Sequence, residues 1–265
     1  MAAQPDDIRL SATILLVRDG ASGLEVFMVE RHHQIDFATG ALVFPGGKVD
    51  QGDRDGDLRA RCRGAEQLDG EALAVRVAAI RETFEESGVL LARPQGGEPL
   101  VDAARLGEIE DRYREDLQAG RVGIGELVES EQLELACDQL VHFAHWITPA
   151  IMPKRFDTHF FLVPAPPDQV ALHDGSESVD SLWTTIARAV DDAHAGRRTI
   201  IFPTMMNLRK LGQSASVERA LEAARSRPVV TVLPRVEKEE GGRPRLILPE
   251  EAGYDLGWAR PGRSG

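Results

Sequence analysis

The sequence predicts a mixed α/β domain, and three features carry that expectation. A β-rich run from Leu10 to Val17 is followed by turn residues at Asp19 to Gly23 and by a second such run from Leu24 to Glu30, the pattern of a hairpin. Between Glu71 and Ser87, Leu73, Val77, Ile80 and Phe84 recur at three- and four-residue spacing, and Gly88 supplies a helix stop. Beyond that helix, strand-like and helix-like segments are interspersed to the end of the chain.

The elements follow in order. Ala41 to Phe44 reads as a short strand that ends in a loop at Pro45-Gly46-Gly47, because proline cannot donate to a ladder and glycine permits unusual backbone angles. Asp50 to Asp69, rich in Gly, Asp and Arg, reads as an exposed insertion. Pro94 to Pro99 is a loop, and Ala103 to Ala119 and Ile124 to Ala136 have charged helical patterns that suggest an appendage rather than chemistry. Strands are expected at Leu140 to Ile147 and His159 to Val163, a polar stretch at His173 to Ser181, and a helix at Thr184 to Ala195. Helices at Thr204 to Leu211 and Ala215 to Arg225 and strands at Val229 to Val236 and Arg245 to Leu248 close the domain.

Bulk properties narrow the function. The 265 residues and 42% apolar content suffice for one sizeable core. A net charge of −12 gives no general attraction to a nucleic-acid backbone or an anionic membrane. Cys62 and Cys137 make neither a disulfide framework nor a cysteine-based zinc site, and there is no secretion signal or long apolar run, so the expected compartment is the cytoplasm. No nucleic-acid or membrane partner is expected, and the oligomeric state is left open, a homodimer included.

The chemistry concentrates in Arg81-Glu82-Thr83-Phe84-Glu85-Glu86-Ser87-Gly88-Val89. Glu82, Glu85 and Glu86 stand at i, i+3 and i+4 on one helical face, where three like charges repel unless cations neutralise them. A solvated acidic face accounts for the spacing alone. Divalent Mg²⁺ or Mn²⁺, which prefer carboxylate oxygen, account for it more economically once the neighbours are considered.

Those neighbours resemble the signature of the Nudix hydrolase family: a glycine, five residues, a glutamate, seven residues, then Arg-Glu, an apolar position, any residue, Glu-Glu, any residue, Gly and an apolar residue. Arg81 to Val89 match its second half with Thr83 at the apolar position, and Gly47 supplies its first glycine. The first half departs, because Asp53 stands where the glutamate belongs and 27 residues, an excess of 20, separate it from Arg81. Glu71, after Gly70, also fits that position, with nine residues before Arg81, and both candidates stay open.

The resemblance implies a mixed β-sheet sandwiched between helices, here a single domain over residues 1–265 with insertions near 50–70 and 94–138 and a tail near 250–265. It implies Glu82, Glu85 and Glu86 as ligands of Mg²⁺ or Mn²⁺, Arg81 as the residue that orients a glutamate, and Gly47 as the residue that allows the loop its tight path.

A second resemblance, to the coenzyme A diphosphatase branch, rests on Arg31, Gly40 and Phe44-Pro45-Gly46-Gly47, with Trp146-Ile147-Thr148-Pro149, Arg155-Phe156-Asp157-Thr158 and Phe202-Pro203-Thr204 in support. It implies hydrolysis of coenzyme A or acyl-coenzyme A to adenosine 3′,5′-bisphosphate and the phosphopantetheine part, with Arg31, Phe44, Gly46 and Gly47 on the substrate side; Arg155 reads either as a further phosphate contact or as the structural partner of a neighbouring acid. His32 replaces the usual serine of that branch and Asp36 a common arginine. The alternatives are hydrolysis of ADP-ribose, a dinucleotide or an oxidised nucleotide, and a catalytically silent binding module. The chain ends Arg263-Ser264-Gly265, not in a peroxisomal tripeptide.

Other candidates have plainer readings. Glu177 occupies a region where the family often places a further acid near the metals, or is a surface glutamate. In a regular strand His142 and His145 face opposite sides, so no zinc site is expected there. Trp146, Trp183 and Phe160 read as core rather than as a stacking platform.

Overall fold

The computed structural model of the protein describes residues 8–31, 40–171, 178–237 and 245–254. The opening hairpin forms as the sequence predicts, β1 (Ile8–Gly20) pairing antiparallel with β2 (Gly23–Arg31) and closing at Gly20↔Gly23. β3 (Leu42–Val43) extends β2, but the Pro-Gly-Gly segment does not remain a loop. Gly46–Lys48 forms β4, antiparallel to β1 with Ala12 opposite Gly47. Proline is tolerated at its entry because Pro45 serves as an acceptor, its carbonyl taking the Ile14 N–H at 2.9 Å.

Segment 50–69 is largely exposed, as expected, but it is anchored by four buried residues. Two 3-10 turns, Gly52–Arg54 and Gly56–Arg61, bury Asp53 and Leu58, and Cys62 and Ala65 join the same core. Cys62 and Cys137, distant in sequence, are free thiols buried in that core. Helix α1 (Gly70–Ser87) then begins on Asp69, whose carboxylate accepts the Ala72 N–H at 2.7 Å, and ends on Gly88 at φ 71°. Leu73, Val77, Ile80 and Phe84 are buried as their spacing predicts. Thr83 is tolerated at an apolar position because its hydroxyl donates to the Ala79 carbonyl at 2.7 Å.

β5 (Ala92–Pro94), α2 (Ala103–Gln118) and α3 (Ile124–Ser130) follow. The helix expected to reach Ala136 stops at Ser130, and Leu133–Leu135 becomes β6, antiparallel to β5. Leu133 and Leu135 alternate into the core around Glu134, a period of two that outweighs local helix propensity. β7 (Val141–Ile147) and β8 (Arg155–Pro164) pair antiparallel, and β8 runs parallel to β1 over ten residues. β9 (Ser178–Thr185), pairing with β2, includes part of the stretch expected to be only polar, so α4 (Ile186–His194) begins after Thr185, which caps it. α5 (Phe202–Leu211) and α6 (Val217–Arg225) match expectation; β10 (Thr231–Val232) joins β7, and β11 (Arg235–Glu237) pairs with β12 (Arg245–Ile247).

The sheet order is β10-β7-β8-β1-β2-β3, with β4 beside β1 and β9 beside β2. One face, carrying Ala12, Ile14, Leu16, Phe27 and Phe161, packs on α1, α2 and α3. The other, carrying Leu15, Val17, Val26 and Leu162, packs on α4, α5 and α6. This is the mixed sheet between helices that the family resemblance implies. The C-terminal stretch is anchored further than expected, since Ala252 is buried and the Tyr254 hydroxyl donates to Asn207 Oδ1 at 2.7 Å and accepts from Trp146 Nε1 at 2.9 Å. Burial pushes the Tyr254 phenol well above its usual pKa. Residues 255–265, the rest of the expected tail, lie outside the described residues.

Tyr254→Phe strands the Trp146 N–H and the Asn207 carbonyl without their common partner. The expected loss is about 1–3 kcal/mol of unfolding free energy, read from urea denaturation.

Candidate active site

The site begins with a helix laid against glycines. On β4, a Cβ added at Gly46 falls 2.4 Å from the Ala12 carbonyl oxygen and 2.7 Å from Thr13 Cα, so this position admits no side chain without moving β1. At Gly47 the obstacle is different: an added Cβ meets the Glu82 carboxylate at 2.3 Å. Gly46 therefore lets β1 close on this strand, and Gly47 lets the acidic face of α1 do so. The Gly46 N–H donates to Glu86 Oε2 at 2.9 Å, which fixes the third glutamate against the backbone.

Arg81 braces this arrangement. Its Nε and Nη2 donate to Asp53 Oδ1 and Oδ2 at 2.9 and 2.8 Å, a two-pronged pairing, while Nη2 also donates to the Lys48 carbonyl at 2.9 Å. Its Nη1 reaches Glu82 Oε1 at 2.9 Å and Glu85 Oε1 at 3.1 Å. Both Arg81 and Asp53 are buried. Burial alone would discourage the Arg81 charge, but the surrounding carboxylates outweigh it and hold the guanidinium more firmly protonated than usual. The structure thus brings Asp53, not Glu71, to Arg81; Glu71 sits exposed in the first turn of α1. Glu85 has its pKa raised, chiefly by burial, with Arg81 opposing the shift and Asp53 and Asp50 adding to it.

Beside these residues lies a cleft of about 1510 Å³. Glu82, Glu85, Arg81, Asp53, Gly46, Gly47, Phe44 and Arg31 line it, so most of the residues singled out in the sequence converge. Glu86 is turned onto Gly46 behind that wall. Arg155 is not part of the lining: its Nε donates to the Thr148 carbonyl at 3.1 Å at the base of β8. His32, Asp36 and Glu177 lie outside the described residues. Trp146 and Phe160 are core residues, as expected, whose edges also face the cleft, while Trp183 packs on Phe27 and under Arg18.

Sequence reasoning missed two contributors. Lys48, Arg121 and Lys154 also line the cleft, and nothing in their local sequence distinguishes them from surface cations. The segment expected to be an appendage supplies a wall through Leu117, Gln118 and residues 120–124. It also steadies the glutamates, because Gln118 Nε2 and Arg114 Nε donate to the Glu85 carbonyl at 2.7 and 3.0 Å.

A mixed sheet between helices, with an acidic helix closed on a Gly-Gly strand and braced by an arginine, defines a Nudix-type domain. Residues 59–211 match the family model described as the NUDT19 Nudix domain, and the chain belongs to that family. It is 26% identical to the acyl-coenzyme A diphosphatase NUDT19 of Xenopus laevis over 76% of this chain and 63% of that protein. The values for the Homo sapiens protein of the same name are 26%, 74% and 63%, and for putative nudix hydrolase 7 of Caenorhabditis elegans 28%, 71% and 56%. The chain thus spans less than two thirds of the length of these relatives. Among solved structures, the NUDIX hydrolase from Alicyclobacillus acidocaldarius superposes with a TM-score of 0.66 at 27% identity, over 82% of this chain and 96% of that one.

Two substitutions separate the brace from the acidic face. Gly47→Ala should displace the flexible end of Glu82 without disturbing the sheet, lowering turnover on the order of a hundredfold with an unchanged melting curve. Asp53→Ala should leave Arg81 buried beside a lost partner and cost about 3–5 kcal/mol, measured by chemical denaturation.

Proposed function

We propose that this protein hydrolyses the diphosphate linkage of coenzyme A or an acyl-coenzyme A, with Mg²⁺ or Mn²⁺ held by Glu82, Glu85 and Glu86. The observation that carries the reading is the braced carboxylate face at the wall of a cleft lined by both cations and apolar side chains. Arg81 is bonded to this face, and its guanidinium is already shared among Asp53, Glu82, Glu85 and the Lys48 carbonyl. The excess of carboxylate oxygen fits a hard divalent ion. When bound, such an ion supplies charge neutralisation at the phosphoryl oxygens and lowers the pKa of a coordinated water.

The chain's own residues do the positioning. Arg81 fixes the rotamers of Glu82 and Glu85, the Gly46 N–H fixes Glu86, and one of these carboxylates takes the proton of the attacking water. Arg31, Lys48, Arg121 and Lys154 give the cleft positive charge for the phosphates. The other side of the cleft suits the pantetheine and acyl part: Phe44, Trp146, Phe156 and Phe160 line it, and Ile151 and Met152 stand exposed along it. The named activity of the Xenopus and human relatives agrees with this reading. No helix of the described residues is long and apolar enough to cross a membrane, and the two free thiols support a reducing cytoplasm as the place of action.

The test is product formation from coenzyme A, ADP-ribose, NADH and 8-oxo-dGTP, each with Mg²⁺, Mn²⁺ or EDTA, resolved by chromatography. Adenosine 3′,5′-bisphosphate should appear from coenzyme A with either metal and disappear with EDTA. Glu86→Gln should lower that turnover by about 2–4 kcal/mol of barrier, roughly 30- to 1,000-fold, with the fold retained. Preference for another compound would reject the substrate, and no cleavage of any would leave a binding module.

A further inference from the structure

The expectation that His142 and His145 face opposite sides of their strand is overturned by a bulge. In the β7–β8 ladder the register passes from His142↔Phe161 to Ala144↔Phe160, leaving Phe143 as an extra residue. That one-residue shift turns His142 and His145 to the same face. On β8, Asp157 and His159 are two residues apart and share it, with His145 directly opposite His159.

The four side chains meet. The His145 and His159 rings stack with centroids 4.1 Å apart, and His142 lies 5.1 Å from His159, its Nε2 3.2 Å from His159 Nδ1. Asp157 Oδ1 touches His145 Nε2 and stands 3.9 Å from His159 Nε2. One donor atom from each of His145, Asp157 and His159 lies within 4.8 Å of the others. The other nitrogen of His145 is engaged by Thr231 Oγ1 at 2.8 Å, the type of outer contact that orients a ligating imidazole. All three groups are partly exposed, so an ion can enter.

None of these residues lines the cleft; Trp146, Thr158 and Phe160, which alternate with them on the same strands, do. We propose that His145, Asp157 and His159, with His142 alongside, form a second metal site on the back of the cleft wall, suited to a borderline transition ion such as Zn²⁺ rather than Mg²⁺. Two imidazoles and a carboxylate favour that class of ion, whereas the all-oxygen face of α1 favours the hard cations. Arg76, stacked over Phe161 at 5.0 Å beside the His142 ring, opposes a loosely held hydrated cation. Binding therefore requires direct coordination, with the ion taking the place of the proton between His145 and Asp157.

The test needs no substrate and stands apart from the proposed activity. The full chain, stripped with chelator, is titrated with Zn²⁺ by calorimetry and with Co²⁺ by visible absorption, in parallel with His159→Ala, Asp157→Asn and the double variant Glu85→Gln/Glu86→Gln. The expected result is one Zn²⁺ per chain, and Co²⁺ ligand-field bands, retained in the glutamate variant and weakened at least tenfold by either site substitution. Asp157→Asn preserves shape should His159→Ala fail to fold. Uptake that persists in both site variants, that vanishes with the glutamates, or that does not occur in the native chain overturns the proposal.

Discussion

The guanidinium of Arg81 is the point on which the acidic site depends. Three carboxylates on one turn of helix repel, and burying them among apolar residues sharpens that repulsion because solvent no longer screens it. Arg81 answers in a fixed geometry: two prongs on Asp53, one nitrogen shared by Glu82 and Glu85, and one bond to the Lys48 carbonyl. A lysine could supply the charge but not this planar fork. The same contacts join α1 to the strand and loop before it, so the charge balance and the shape of the cleft wall are set together.

The side of this arrangement away from the arginine is built by the absence of atoms. Gly47 leaves the room into which Glu82 projects, Gly46 lets β1 approach, and the backbone N–H of Gly46 becomes a donor to Glu86. Acidic helix, arginine and Gly-Gly strand are therefore one unit of packing. It faces a cleft whose other walls include β1, β7, β8, the end of α2, the start of α3 and the start of α5, elements distant in sequence.

Much of this was legible. Glu82, Glu85, Glu86 and Arg81 form a local pattern, and a helix of clear apolar spacing tells where they point. The hairpin, α1, α5 and α6 were legible for the same reason. What sequence could not supply depends on long-range pairing. β4 and β9 exist because β1 and β2 offer edges to them, not because Gly46-Gly47-Lys48 or residues 178–181 favour extension. The histidine cluster depends on one extra residue in a ladder, which no count along β7 alone can reveal. The choice between Asp53 and Glu71 was likewise a matter of which carboxylate the chain carries back to Arg81.

The long interruption between Asp53 and Arg81 is tolerated for a reason that magnitudes make plain. Lengthening a flexible connection from seven to 27 residues costs only about 1.2 kcal/mol of closure entropy, two doublings at about 0.6 each. Full burial of a leucine side chain alone contributes about 1.5–3 kcal/mol, and the insertion buries Leu58 together with Cys62 and Ala65. It also pairs with its surroundings, the Arg63 N–H donating to the Leu135 carbonyl and the Asp138 N–H to the Arg63 carbonyl. Leu58 packs beside Gly125 at the start of α3, whose Ile124 and Glu126 line the cleft. The inserted segment thus supports the wall that α2 and α3 add to the site, while its first turn places Asp53 on Arg81. The signature is interrupted in sequence but closed in space, and the helical insertion is part of the cleft rather than an appendage to it.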